Sequence, residues 1–192
     1  SKPKTQVLLV AIHKEALGKY NTIVEKAGLI PHFFEIEIFS TIRSFLSRTI
    51  APVIVLDIGS GTSKLYIVEF GVVRVSHTIN KGAQDMTFSL SRSTGISVAK
   101  AEEVKREYGL VSDASPKAQG VSESLLFTVE YIFSEARRAI LKYEKQSGRN
   151  ISKVVLTGGG SVTRGILEIA KKHFEIETVL ADPFSNTQTP AF

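Results

Sequence analysis

The stretch Leu56-Asp57-Ile58-Gly59-Ser60-Gly61-Thr62-Ser63 decides how this chain folds. It follows Val53-Ile54-Val55, a β-branched apolar run of the kind that forms a strand covered on both faces. Glycines at alternate places let the main chain bend sharply and come close to an anion. Successive backbone N–H groups and the Thr62 and Ser63 hydroxyls can then donate to phosphate oxygens, and Asp57 can hold a magnesium ion through water opposite them. The same residues also suit a β-hairpin in which Gly makes the turn and Asp accepts within it, and the motif alone leaves both readings open.

Downstream, Leu65–Phe70 and Val72–Ile79 read as strands joined by a tight turn at Gly71. Helices follow over Gln84–Ser93 and Val98–Tyr108, separated by Gly95, with Ser97 as N-cap of the second. Ser112–Lys117 has the composition of an exposed loop. A long helix is expected over Val121–Gln146, with Leu125, Val129, Ile132, Ala136, Ile140 and Tyr143 on one face and Ser147-Gly148 as its stop. Val154-Val155-Leu156 is a further strand, Ile166–His173 a helix and Glu175–Leu180 a last strand.

Upstream, Gln6–Ile12 reads as a buried strand, and Leu17, Tyr20, Ile23, Val24 and Ala27 lie at helical spacing before Gly28. The alternation of Phe34, Ile36 and Ile38 predicts a half-buried strand, and Ser40–Arg48 a short helix. Thr49-Ile50-Ala51-Pro52 breaks the pattern as a linker. The expected organisation is therefore a small βαβα lobe over residues 1–50 and an α/β unit over residues 51–192, whose helices at about 83–120 form a reduced lobe. An antiparallel meander followed by strands connected through helices implies a mixed sheet with helices on its faces.

A second glycine-rich bend, Leu156-Thr157-Gly158-Gly159-Gly160-Ser161, stands at another strand end and is expected to run into a helix N-terminus. Unpaired N–H groups and the helix dipole favour anions there, and the absent side chains leave room for a flat ligand. Three consecutive glycines carry an entropy cost that an ordinary connection does not need. Both bends fall at the carboxyl ends of core strands, where open α/β sheets bind ligands, so the pair favours a nucleotide site.

Asp57-Ile58-Gly59-Ser60-Gly61-Thr62 resembles the second phosphate motif of the actin, heat-shock chaperone and FtsA superfamily, and Leu156–Ser161 resembles its adenosine motif. Between them, Lys81-Gly82-Ala83-Gln84-Asp85-Met86-Thr87 is similar to the "GGxDxT" helix start, and Ala101–Gly109 to the "AE-x-x-K-x-x-YG" stretch of PilM and FtsA. Residues 8–37 resemble the lobe inserted in the first half of PilM and FtsA, with the short lobe and helix end closer to PilM. The resemblance implies a ribonuclease-H-like, actin-like ATPase half-domain binding ATP and magnesium, with Glu102 and Lys105 at the ribose and adenine; on residue spacing alone an exposed ion pair fits those two equally well. It implies a cytoplasmic scaffold at the inner face of the membrane, docked to an inner-membrane pilus protein of PilN type, and it also admits self-association.

Ala83, Ser60 and Lys64 depart from the family pattern, and Lys64 reverses a charge beside the phosphate bend. No first phosphate motif is read before residue 5 and no second connecting helix after Phe192, so half of an ATP site is expected here, without the facing loop that hydrolysis needs. The start at Ser1 reads as a cut. An FtsA-like division protein, or a phosphotransferase or ATPase of the same fold, is the alternative.

The remaining composition bounds these readings. The 192 residues, 43% of them hydrophobic, can bury one good core. A net charge of +5 favours acidic surfaces without selecting one, and no basic run interleaved with aromatics points to nucleic acid. The absence of cysteine excludes thiol catalysis and Cys-ligated zinc. His13, His32, His77 and His173 lack metal-ligand spacing, and Glu35 and Glu37 read as exposed acids rather than an acid/base pair.

Overall fold

The computed structural model describes residues 9, 11–46, 50–111 and 115–185. Two compact units divide the chain, Ser1–Glu37 and Ile38–Phe192. In the first, helix α1 (Lys14–Lys26) buries none of its residues and ends at Ala27, followed by Gly28 with φ of 68°. The Tyr20 and Phe34 rings lie 6.5 Å apart. Of the expected strand Gln6–Ile12, Leu9, Ala11 and Ile12 are irregular and the rest lies outside the described residues.

The strand expected over Phe33–Ile38 does not form: residues 31–36 are irregular, and helix α2 (Glu37–Phe45) starts three residues before Ser40. Ile38, Ile42 and Phe45 also recur at helical spacing, and alternation says nothing about whether a partner strand exists. Ile38 is buried, and Phe45 and Leu46 border the same surface depression as Val155 and Val179. The division therefore falls ahead of the linker, with all of α2 but its first residue, Glu37, in the second unit.

That unit is built on β1 (Val53–Ile58), β2 (Ser63–Glu69), β3 (Val72–Ile79), β4 (Lys153–Thr157) and β5 (Glu177–Leu180) in the order β3-β2-β1-β4-β5. β1 pairs antiparallel with β2 and parallel with β4, so Asp57 stands level with Lys64 on one side and Thr157 on the other. Ile54, Leu56, Val154 and Leu156 are fully buried, as unbroken apolar runs in central strands require. The β2–β3 turn places both Phe70 and Gly71 at positive φ, with Arg149 stacked over the Phe70 ring at 5.2 Å.

Helices α3 (Ala83–Thr94) and α4 (Val98–Tyr108) match their sequence patterns, and the Ser97 hydroxyl accepts from the Lys100 amide. The long helix α5 covers Pro116–Ser147 and starts five residues before Val121. Pro116 sits in its first turn and Ser115 accepts from the Ala118 amide, so two residues typical of loops act here as a helix start. Val121, Leu125, Val129, Ile132, Phe133, Ala136 and Ile140 of α5 join the sheet core, and α6 (Ile166–Phe174) contributes Ile166, Ala170 and Phe174. The glycine bend after β4 leads into a short 3-10 turn, Gly159–Val162, and α6 starts only at Ile166, so the expected direct passage from glycines to a helix N-terminus is replaced by that turn.

Candidate functional site

The two glycine bends meet at one end of the sheet. A Cβ on Gly158 would run into the Asp57 carboxylate and stand 2.7 Å from the Ile58 carbonyl oxygen, and Gly158 itself has φ of 84° and ψ of 164°, a region open in practice to glycine alone. A Cβ on Gly160 would strike the Ile58 side chain. These two glycines let the bend after β4 close against the end of β1. Gly159 differs: a Cβ there would meet nothing within 4 Å.

Above the bends lies a cleft of about 780 Å³ bordered by Ser60, by Ala83, Gln84 and Thr87 of α3, by Glu102, Lys105 and Arg106 of α4, and by Gly159, Gly160 and Arg164. Four segments distant in sequence thus converge. Ser60, Glu102, Lys105, Gly159 and Gly160, all expected at the site, are among the lining residues. Asp57, Gly59, Gly61, Thr62, Ser63, Gly82, Gly158 and Ser161 are not.

The loop after β1 is tightly braced. Gly59 N–H donates to the Thr62 carbonyl at 3.1 Å, while Ala83 N–H donates to the Gly59 carbonyl and Gln84 N–H to the Ser60 carbonyl, each at 2.9 Å. Gly82 permits this approach, because a Cβ there would collide with the Ser60 carbonyl and stand 2.7 Å from the Gly59 oxygen. Its N–H donates to Asp85 Oδ2 at 2.9 Å, which closes the start of α3. Two hydroxyls are engaged internally: Ser63, expected at a phosphate, is wholly buried and donates to the Lys81 carbonyl at 2.8 Å, and Ser161, of the adenosine motif, is buried and donates to the Gly158 carbonyl at 2.7 Å. Ser60, Gly61 and Thr62 form the exposed tip.

On the opposite wall, the Glu102–Lys105 pair is not the exposed pair that spacing alone allows. Lys105 is 6% exposed, and its ammonium donates to the Ala83 carbonyl at 3.1 Å and to Thr87 Oγ1 at 2.8 Å, with Glu102 Oε2 at 2.7 Å. Thr87 Oγ1 donates to the same Glu102 oxygen at 2.6 Å, and Arg106 Nε to Oε1 at 2.9 Å. Burial opposes the Glu102 charge, yet the hydrogen bonds from Lys105, Thr87 and Arg106 outweigh it and bring the carboxyl pKa from 4.5 down to about 2. Glu102 is therefore ionised at neutral pH and presents an acceptor to the cleft. Thr87 had a signal in the helix-start motif; Arg164, whose guanidinium donates to the Glu107 carbonyl, had none.

Among the described residues no group of three or more His, Asp or Glu side chains gathers into a metal cage, and no helix is long and apolar enough to cross a membrane.

The sequence profile of the family described as type IV pilus assembly protein PilM matches residues 1–191. The cell division protein FtsA of Neisseria meningitidis serogroup B is 24% identical over 196 residues, covering 90% of this chain and 47% of FtsA. A solved PilM-PilN type IV pilus biogenesis complex superposes with a TM-score of 0.75 at 21% identity, over 89% of this chain and 48% of that one. MreB5 of Spiroplasma citri bound to ADP gives a TM-score of 0.67 at 18% identity, over 90% of this chain and 62% of that one. These likenesses show an actin-like fold, and the chain spans about half the length of the curated relatives it matches.

Proposed function

The chain belongs to the family of the type IV pilus assembly protein PilM, and on that premise we propose that its cleft is one side of an ATP site in an actin-like scaffold that docks inner-membrane pilus components. The observation that carries this is the convergence of the β1 bend, the β4 bend and the α4 wall on one cleft of about 780 Å³, a size suited to a small ligand.

In this reading the triphosphate lies against Gly59–Thr62 and the adenosine against Gly159 and Gly160, with Glu102 accepting from the ribose. The open space at the Gly159 Cβ position leaves room for a flat ring. A magnesium ion would take most of its ligands from phosphates and water, with Asp57 on its outer side, and would neutralise phosphate charge. Ser63, Gly82 and Ser161 serve the site by shaping its loops. By sequence resemblance we assign residues 1–50 to the inserted lobe and the remainder to the second half-domain, a boundary that differs from that of the compact units, which part after Glu37.

The partner we infer is the cytoplasmic tail of a PilN-type membrane protein, which would hold the scaffold at the inner face of the membrane. The solved PilM-PilN complex, similar over 89% of this chain, supports that choice. Calorimetry of magnesium-ATP with the full-length protein tests the site: Asp57→Ala should lose most of the affinity, and equal binding by both proteins would sink the reading. Capture of a PilN-type tail peptide, and not of division partners, separates the pilus role from the FtsA-like one. Fast ATP turnover without any partner would favour an enzyme.

A further inference from the structure

We propose that the outer face formed by α5 and the end of α6 docks directly on an anionic lipid bilayer. In the reading above a protein partner holds the chain at the membrane; this contact is made by the chain itself and does not depend on the nucleotide site.

Helix α5 packs one side on the sheet and leaves the other to solvent. Phe127, Tyr131, Ser134, Arg138, Leu141 and Lys145, alternately four and three residues apart, are all exposed, so they line one stripe about 27 Å long. Phe127 is 75% exposed and Leu141 55%. Beyond Glu130, every exposed charged residue of α5 is basic: Arg138, Lys142 and Lys145. The acids of that half are partly buried and occupied, Glu135 by Arg138 at 2.8 Å and Glu144 by the Ile151 amide at 2.9 Å. α6 shares the surface: Arg137 donates to the Phe174 carbonyl at 2.6 Å, and Arg138, Leu141 and Lys172 border one shallow depression with Glu175. Lys142, Lys145 and Lys172 make no ion pair among the described residues.

The carbonyls that end a helix attract cations, which accounts for Lys145 and Lys172 in last turns. It does not account for Arg138 and Lys142 farther back, nor for an exposed Leu141 between them. Ammonium groups beside protruding apolar side chains suit a bilayer surface, where lysine meets headgroup phosphates and Phe, Tyr and Leu enter the acyl boundary. Protein interfaces are depleted in lysine and packed around an apolar centre, whereas these apolar side chains stand singly along a helix. The docking end is also remote from the cleft. β1, β4 and β5 run parallel, with the glycine bends at the carboxyl ends of β1 and β4. α5 leads into the amino end of β4 and α6 into that of β5, so Lys142, Lys145 and Lys172 stand toward the opposite end and the cleft stays open while the face is occupied.

Co-sedimentation of the full-length protein, without nucleotide or partner, tests this on phosphatidylcholine vesicles containing about one third phosphatidylglycerol. Binding is expected at low salt, should weaken about tenfold at physiological salt, and should be absent on pure phosphatidylcholine. The triple variant Lys142→Gln, Lys145→Gln, Lys172→Gln should lose about tenfold or more of the partitioning. Lys14→Gln, Lys19→Gln, Lys26→Gln on α1, an equal change of net charge at exposed positions, should lose no more than about twofold. No vesicle binding by the wild type overturns the proposal, as do binding indifferent to salt, undiminished binding by the first triple variant, and equal losses by both. If the first triple variant keeps the vesicles and instead loses polyglutamate, the face is a protein surface and the proposal falls. Should that variant not fold, the pair Phe127→Ser, Leu141→Ser, expected to lose about fivefold in the same assay, decides it.

Discussion

Gly158, Gly159 and Gly160 are identical in sequence and different in physics. Gly160→Ala should cost about 1–3 kcal/mol by overpacking Ile58, read as a lower midpoint in chemical denaturation. Gly159→Ala should change stability by no more than about 0.5 kcal/mol, since its Cβ has room and its φ is not positive, yet weaken magnesium-ATP by about tenfold in calorimetry. The opposite ranking would place the ligand elsewhere. Glu102 adds a pH signature. Its folded pKa, about 2, lies below its ordinary 4.5, so its ionised form favours the folded state above pH 4.5 and that contribution is lost as pH falls toward about 2. Thermal midpoints of wild type and Glu102→Gln should therefore converge across that window; a constant gap would mean the carboxylate is not held by its neighbours.

At the scale of elements, α5 depends on its ends as well as its face. Ser115→Ala removes the acceptor for the Ala118 amide and should cost about 1 kcal/mol, and Gly148→Ala, at φ of 66°, a similar amount. Urea denaturation of both variants checks this, and an unchanged midpoint would mean that the helix ends fray in solution. Such local chemistry was also where sequence and structure parted. Strands β1, β2 and β4 were legible because buried apolar runs rich in β-branched residues have few other uses, β3 because Gly71 marks the turn into it although most of its residues are not buried, and α3, α4 and α6 because their periods are clean. The residues Phe33–Ile38 satisfied two periods at once, and only the absence of a pairing strand among the described residues decided between them. The Ser115-Pro116 start was missed because the same pair opens loops and helices alike. Within the site, the bends announced themselves through glycine, whereas the internal engagement of Ser63, Ser161 and Lys105 depends on partners up to 22 residues away that no spacing rule names.

The whole molecule divides its stability unevenly. Helix α1 is 13 residues long and buries none of them, a length at which isolated helices are marginal in water. β1 instead lies between two paired neighbours with Ile54, Val55 and Leu56 wholly buried. Hydrogen exchange on this chain should release the α1 amides long before those of Ile54–Leu56. Equal protection would mean that α1 is covered by something outside the described residues. Membership of the PilM family and the actin-like fold concern the chain as a whole.

The parallel pairing of β1 with β4, Asp57 beside Thr157, carries one more implication. Neighbouring strands stand about 4.8 Å apart because peptide hydrogen bonds set that spacing, and side-chain exchange cannot retune it. The two bends are thus a fixed jaw of invariant gauge. Any shift in what the cleft grips has to be made on the movable jaw, by Thr87, Glu102 and Arg106, and comparisons of ligand preference among relatives should find their differences there.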